Sequence, residues 1–210
     1  MENLSKDHSV RGGGFQAAVI GVSAGGVAVL PCLLGTLAAD FALAMVIVQH
    51  LHPIQDDYFI ERLGRACRLP VREAEEKERV QAGVIYLAPP NYHLLIEMDR
   101  TFSLCVGEKV NFSRPSIDVL FETAAEAFGA GLIGVILTGA SRDGAAGLRQ
   151  VSSKGGLAVV QDPQSAEYPA MPLAALEETR ADYVCNIEEI GRLLCDLGSA
   201  CAGTGYRTGE

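Results

Sequence analysis

No two of the six cysteines, Cys32, Cys67, Cys105, Cys185, Cys195 and Cys201, are spaced as C-x-x-C. Neither a zinc knuckle nor a thioredoxin-like redox pair is therefore available, and reduced thiols are expected. Positive charge is scarce: 17 Lys and Arg stand against 26 Asp and Glu, a formal net charge of −9. This is the reverse of the footprint of a protein that neutralises phosphates along a duplex, so no nucleic-acid partner is expected. Long apolar runs are also missing. The stretches 41–48 and 131–137 fall far short of the ~20 residues that span a bilayer, so no membrane insertion is expected. The first residues, Met1 to Gly14, are polar and end in three glycines, without the roughly 7–15-residue apolar segment of a secretory signal. These absences leave a soluble, globular chain expected in the cytoplasm.

At 210 residues the chain fits one domain, large enough to bury about 70% of its unfolded surface in a single core. We expect a flexible leader over 1–14, one catalytic domain over 15–197 and a Gly-rich flexible tail over 198–210. Short β-branched runs, 15–20, 43–49, 84–87, 132–137 and 157–160, alternate with helical patterns over 27–37, 58–67, 116–128, 145–153 and 187–197. That alternation, with strands apolar on both faces, predicts an α/β, doubly wound, mostly parallel sheet with helices on both faces. Residues 92–97 and 101–106 flank Met98-Asp99-Arg100 and break the alternation, as an appended antiparallel hairpin would. The charge run Arg72 to Arg79 reads as a solvated loop.

In an open α/β sheet, ligands bind beyond the carboxyl ends of the strands, so the residues just after each strand carry the functional question. After the first strand comes Gly21-Val22-Ser23-Ala24-Gly25-Gly26, a G-x-S-x-G turn in the strand-to-helix context of a nucleophile elbow, with Ser23 expected in a strained conformation. A phosphate-binding loop is the competing reading of such a turn. Against it, Ser23 occupies the place of the second glycine of G-x-G-x-x-G, no Walker lysine follows, and the second strand ends in Gln49-His50 where a ribose-binding acid would stand. His50 and His52 both follow that second strand. Periodicity does not choose between them as a general base, although Pro53 favours His50. After the strand at 132–137, Thr138-Gly139-Ala140-Ser141-Arg142-Asp143-Gly144 supplies Asp143, alone a plausible helix N-cap. Beside Ser23 and His50 it completes a nucleophile, a base and an orienting acid.

At these residues the chain resembles the catalytic domain of the CheB-type chemotaxis methylesterases. The resemblance runs from about Ala18 to Leu194. It is carried by the segments 19–26, 46–50 and 134–145, with Tyr86-Leu87-Ala88-Pro89, His93-Leu94, Arg114-Pro115-Ser116-Ile117-Asp118-Val119-Leu120-Phe121, Gln161-Asp162 and Met171-Pro172 in the right order between and after them. It implies hydrolysis of glutamyl γ-methyl esters on chemoreceptors, in some members deamidation of receptor glutamines, and no metal or organic cofactor. It also implies that Ser23 is the nucleophile, His50 its base and Asp143 the orienting acid. Backbone N–H groups of Ala24, Gly139 and Ala140 are the expected oxyanion donors. The methylated receptor, a helical coiled coil, is the expected partner, and Arg142 the expected contact to its carboxylates. Familiar members carry an N-terminal receiver domain, for which residues 1–14 have no room, so a stand-alone form controlled by a receiver or kinase partner is expected. Two residues depart from the family pattern: Ala24 stands where Thr is common and Ala140 where Met is usual. A non-catalytic module that docks on receptors or a kinase is the alternative from a different class.

Overall fold

The computed structural model describes residues 14–50 and 56–199. The expected leader up to residue 13, the tail from residue 200, and His52 lie outside the described residues. The order of elements is β1 (Ala17–Val22), α1 (Gly26–Gly35), β2 (Ala44–Gln49), α2 (Asp56–Ala66), β3 (Val71–Glu73), β4 (Ile85–Leu87), β5 (His93–Ile96), β6 (Phe102–Cys105), α3 (Ile117–Phe128), β7 (Leu132–Ile136), α4 (Ala145–Ser153), β8 (Leu157–Gln161), α5 (Ala170–Glu178), β9 (Tyr183–Cys185) and α6 (Ile187–Gly198).

Seven of the strands form one sheet in the order β3-β4-β2-β1-β7-β8-β9, and every pairing within it is parallel. The four central strands β1, β2, β7 and β8 are almost continuously apolar and buried, because helices cover both faces. One face packs on α1, α2 and α6 through Leu30, Leu33, Leu34, Phe59, Leu63, Ile190 and Leu194. The other packs on α3, α4 and α5 through Leu120, Phe121, Ala124, Leu148, Val151 and Met171. The last helix starts on a capping box: Asn186 accepts from the Glu189 N–H, and the Glu189 side chain accepts from the Asn186 N–H, which satisfies two otherwise orphaned donors.

The expected antiparallel hairpin is present: β5 and β6 pair as a two-stranded sheet beside the main one, and β5 lies against α3, where the Ile96 N–H donates to Thr123 Oγ1 at 3.2 Å. One expectation needs correction. The charge run is not simply a solvated loop. Its first residues form β3, beside β4, and the rest lies along the hairpin. The Leu104 N–H donates to Glu76 Oε2, the Lys77 N–H to Phe102 O and the Val80 N–H to Arg100 O. Arg72, Glu78 and the Tyr86 hydroxyl meet in one cluster.

From β1 the chain passes to β2, then to β3 at the edge and back to β4 between them, and later returns to the other side of β1 for β7, β8 and β9. The sheet's switch point therefore lies at β1, between β2 and β7, the place where an open α/β sheet leaves a crevice beyond its carboxyl ends.

Candidate active site

The three strands at that switch point deliver Ser23, His50 and Asp143 to one place. Residues 17–22 of β1 pair with 44–49 of β2, and residues 17–21 with 132–136 of β7, so the residues after each strand emerge side by side. The His50 N–H donates to Val22 O and the Ser23 N–H to Thr138 O, which fixes the three loop entrances to one another. His50 Nδ1 lies 3.2 Å from Ser23 Oγ and Nε2 lies 3.0 Å from Asp143 Oδ2. An ionised carboxylate only accepts, so Nε2 carries the proton and the lone pair on Nδ1 faces the serine hydroxyl, a tautomer assigned from the hydrogen-bond network. The ring works in the opposite sense to the serine-protease arrangement, in which Nε2 faces the nucleophile. The imidazole side chain is 16% exposed and Asp143 is fully buried, so the hydrogen-bonded chain runs from the crevice into the interior.

Asp143 lies at the amino end of α3. Oδ2 accepts from the Ile117 N–H at 2.7 Å, while Oδ1 accepts from the Ser116 hydroxyl at 2.8 Å, the Asp118 N–H at 3.2 Å and Asn111 Nδ2 at 3.0 Å. Burial alone would raise its pKa, but the hydrogen bonds from His50, Asn111, Ile117 and Ser116 outweigh burial and hold the carboxyl below its ordinary value. The close approach of α3 depends on two glycines. A Cβ at Gly21 would overlap Ile117, and one at Gly144, whose φ is +98°, would stand 2.6 Å from Ile117 Cγ2. Ile117 fills both spaces, and its N–H thereby reaches the carboxylate. A second buried carboxyl, Asp118, accepts from the Gly147 N–H at 2.7 Å and from the other hydrogen of Asn111 Nδ2 at 2.7 Å. Burial pushes its pKa up, and the neighbouring Asp143 charge adds to that.

The nucleophile turn is clamped from two sides. Gln49 Nε2 donates to Ser23 O at 2.8 Å and to His50 O at 3.0 Å, and its Oε1 occupies the space a Cβ at Gly26 would need. Thr138 Oγ1 donates to Ala24 O at 3.0 Å and accepts from the Tyr168 N–H at 2.9 Å. The left-handed residue of the turn is not Ser23 but Gly25, with φ of +83°, which a glycine adopts without steric cost.

The expected oxyanion donors are not equivalent. The Gly139 N–H donates to Tyr168 O at 2.9 Å and is already committed, so that expectation is corrected. The role of Gly139 is space: a Cβ there would stand 2.6 Å from Met171 Cε and 3.0 Å from Ser23 Cβ. The Ala24 and Ala140 N–H groups donate to no acceptor among the described residues. Ala24 lies just before α1, whose positive dipole end faces the turn. Arg142 is exposed and pairs with Glu178 Oε1 at 3.1 Å. Among the described residues no group of three or more His, Cys, Asp or Glu side chains is placed to hold a metal ion. No helix among them is long and apolar enough to cross a membrane.

Asn111, Gln49, Ser116 and Thr138 are the polar positions whose work the strand-end reading did not find. Gln49, Ser116 and Thr138 lie inside segments that carry the family resemblance, which was the available signal. For the side chain of Asn111 the sequence held none.

A hydroxyl facing an imidazole, a buried carboxylate behind that imidazole and N–H groups with no acceptor among the described residues are the groups that acyl transfer requires. The comparisons agree. The family model described as CheB methylesterase matches residues 18–194. A Leptospira interrogans protein, provisionally named a protein-glutamate methylesterase/protein-glutamine glutaminase, is 54% identical over 183 residues, covering 87% of this chain and 95% of the relative. A Mesorhizobium japonicum protein-glutamate methylesterase/protein-glutamine glutaminase is 38% identical over 172 residues, 82% of this chain but 51% of that protein, so this chain spans about half of that relative. The crystal structure of the Thermotoga maritima CheB methylesterase catalytic domain superposes with a TM-score of 0.83 at 34% identity, covering 87% of this chain and 98% of that one. A seven-stranded parallel sheet with its three chemical groups at the switch point, matched over most of its length, thus belongs to the CheB methylesterase family.

Proposed function

We propose that the chain is a protein-glutamate methylesterase that hydrolyses glutamyl γ-methyl esters on chemoreceptors, and deamidates receptor glutamines by the same chemistry. The observation that carries the reading is the Ser23–His50–Asp143 hydrogen-bonded chain at the sheet's switch point. Ser23 Oγ attacks the ester carbonyl as its proton passes to His50 Nδ1, and Asp143 stabilises the imidazolium through Nε2. Negative charge grows on the carbonyl oxygen, which the Ala24 and Ala140 N–H groups receive. Collapse of the tetrahedral intermediate expels methanol, protonated by the imidazolium, and leaves a glutamyl ester on Ser23. Water, losing its proton to the same nitrogen, hydrolyses that ester and returns a free carboxylate. With a glutamine substrate the departing group is ammonia, and the remaining steps are identical.

The departures at Ala24 and Ala140 remove side chains and leave both backbone donors, so the reaction class does not depend on them. We further propose that residues 15–197 form the catalytic unit, that it works in the cytoplasm, and that a receiver or kinase chain regulates it. The test is interception of the acyl-enzyme: acid quenching during turnover of a glutamyl γ-methyl ester, then peptide mass spectrometry. A glutamyl adduct on Ser23, lost in the His50→Ala variant, is expected. An adduct on another residue would overturn the assignment.

A further inference from the structure

Asp143 shares its surroundings with a second buried carboxyl, Asp118, that the steps of hydrolysis do not use. Each acid holds the amino end of the other's helix. Asp143 stands just before α4 yet accepts from the Ile117 and Asp118 N–H groups at the start of α3. Asp118, in the first turn of α3, accepts from the Gly147 N–H in the first turn of α4 at 2.7 Å. Two positive helix ends thus converge on two acids, which offsets part of the cost of burying negative charge. The residue that joins the acids lies on neither helix. Asn111 Nδ2 donates one hydrogen to Asp118 Oδ2 at 2.7 Å and the other to Asp143 Oδ1 at 3.0 Å, and among the described residues it is the one side chain that hydrogen-bonds both.

The backbone that delivers this amide is strained. Asn111 and Phe112 have φ of +50° and +62°, in a turn where the Val110 N–H donates to Ser113 O at 3.2 Å and the Ser113 N–H to Val110 O at 2.9 Å. Asn adopts that conformation readily, whereas a bulky residue there is an outlier. The Phe112 ring is 97% exposed, so no burial offsets the cost, and strain kept in this way points to function. What the turn gains is the placement of the Asn111 side chain. The segment around it is tied at both ends by the buried His93, whose Nε2 donates to Glu108 O at 2.9 Å and whose Nδ1 accepts from the Ser116 N–H at 3.2 Å. Ser116 in turn donates its hydroxyl to the same Asp143 Oδ1.

We propose that Asn111 is a positioning residue for ester hydrolysis that acts through Asp143: anchored on Asp118, it fixes Asp143 Oδ1 so that Oδ2 stays on His50 Nε2. This rests on the methylesterase reading. An ionised carboxylate only accepts, so the two acids together turn the amide nitrogen, and not its oxygen, toward Asp143. Burial raises the pKa of each carboxyl, and the Asn111 hydrogen bond works against burial on both. The other titratable groups facing the pair are His50 from the end of β2, which donates to Asp143, and His93 from β5, which reaches it through Ser116. Glu122 from α3 feels both acids, and Arg149 from α4, through charge alone. Of all these neighbours, Asn111 is the neutral donor that the two acids share.

The test is steady-state hydrolysis of a glutamyl γ-methyl ester by the full chain across pH, together with carbon NMR titration of isotope-labelled aspartate carboxyls. Asn111→Gly keeps the left-handed backbone and removes the amide, whereas Phe112→Gly relieves the turn and keeps the amide. With Asn111→Gly, kcat is expected to fall about tenfold and KM to stay within about twofold. Activity is expected to be lost in acid at higher pH, and the Asp143 carboxyl to titrate at higher pH, because a donor that favoured its charged form is gone. Phe112→Gly is expected to change none of these. An unchanged kcat in folded Asn111→Gly overturns the proposal. So does a fall that leaves the pH dependence unmoved or that Phe112→Gly reproduces, because the turn and not the amide would then be at work. If Asn111→Gly does not fold, Asn111→Ser, whose hydroxyl donates to one acid only, is read in its place by the same criteria. If the unaltered protein hydrolyses no ester, the methylesterase reading fails, and the Asp143 titration alone decides: an upward move upholds the role of Asn111 at the carboxylate, and an unmoved titration overturns it.

Discussion

Replacing Asp143 by Asn tests what the buried carboxylate does, and the structure sets the size of the effect. The carboxylate accepts five hydrogen bonds, from Asn111, Ser116 and Asp118 on Oδ1 and from Ile117 and His50 on Oδ2. An amide of the same shape offers one acceptor oxygen. Placing that oxygen at Oδ1 keeps three bonds, so the NH2 takes the place of Oδ2 and faces His50 Nε2. The imidazole must then accept at Nε2 and carry its proton on Nδ1, where it points at Ser23 Oγ and cannot receive the hydroxyl proton. The comparable tautomer error in serine proteases costs about 10⁴ in kcat, which is about 5.4 kcal/mol of barrier. The same change leaves the buried Ile117 N–H without its acceptor, at a cost of about 1–3 kcal/mol of stability. Methanol release measures the first quantity and urea unfolding the second. The stability difference also depends on pH with a definite sign. A carboxyl held below its ordinary pKa contributes stability that is fully present above that ordinary value and is lost as pH falls through the lowered folded-state value. The gap between the unaltered protein and Asp143→Asn is therefore widest at neutral pH and closes in acid. A loss of activity under about tenfold in a folded variant would refute the tautomer argument.

Gly26→Ala is expected to lower kcat by about tenfold or more and stability by about 1–3 kcal/mol, because the new Cβ displaces Gln49, which ties Ser23 O to His50 O; unchanged kinetics would show that the clamp is not needed. Arg142→Ala is expected to leave stability within about 1 kcal/mol, since its pairing with Glu178 is exposed. It is also expected to raise KM for the receptor severalfold at low salt as a receptor carboxylate loses its partner; an unchanged KM would assign Arg142 to Glu178 alone.

The fold was legible where burial imposes a pattern. Strands covered on both faces must be apolar throughout, which made β1, β2, β4, β7 and β8 visible. The edge strands β3 and β9 have three residues each and are only partly buried, so neither length nor hydropathy marks them. For the same reason charged residues 72–79 read as loop. Ser23, His50 and Asp143 were legible because chemistry concentrates at strand ends. The work of Asn111 and Gln49 was not, because a single amide carries no mark of the carboxylates or carbonyls it will meet across the fold. The commitment of the Gly139 N–H to Tyr168 was equally hidden, since it depends on the path of the chain from β8 to α5.

Methanol release from methylated chemoreceptor by the unaltered protein and by Ser23→Ala, with both shown to be folded, tests the central claim most directly. The account predicts release by the first and none above background by the second, with stability unchanged to within about 0.5 kcal/mol because, among the described residues, Ser23 Oγ hydrogen-bonds to the imidazole alone. Equal release by both proteins would contradict it, since acyl transfer would then proceed without the hydroxyl on which the whole arrangement converges.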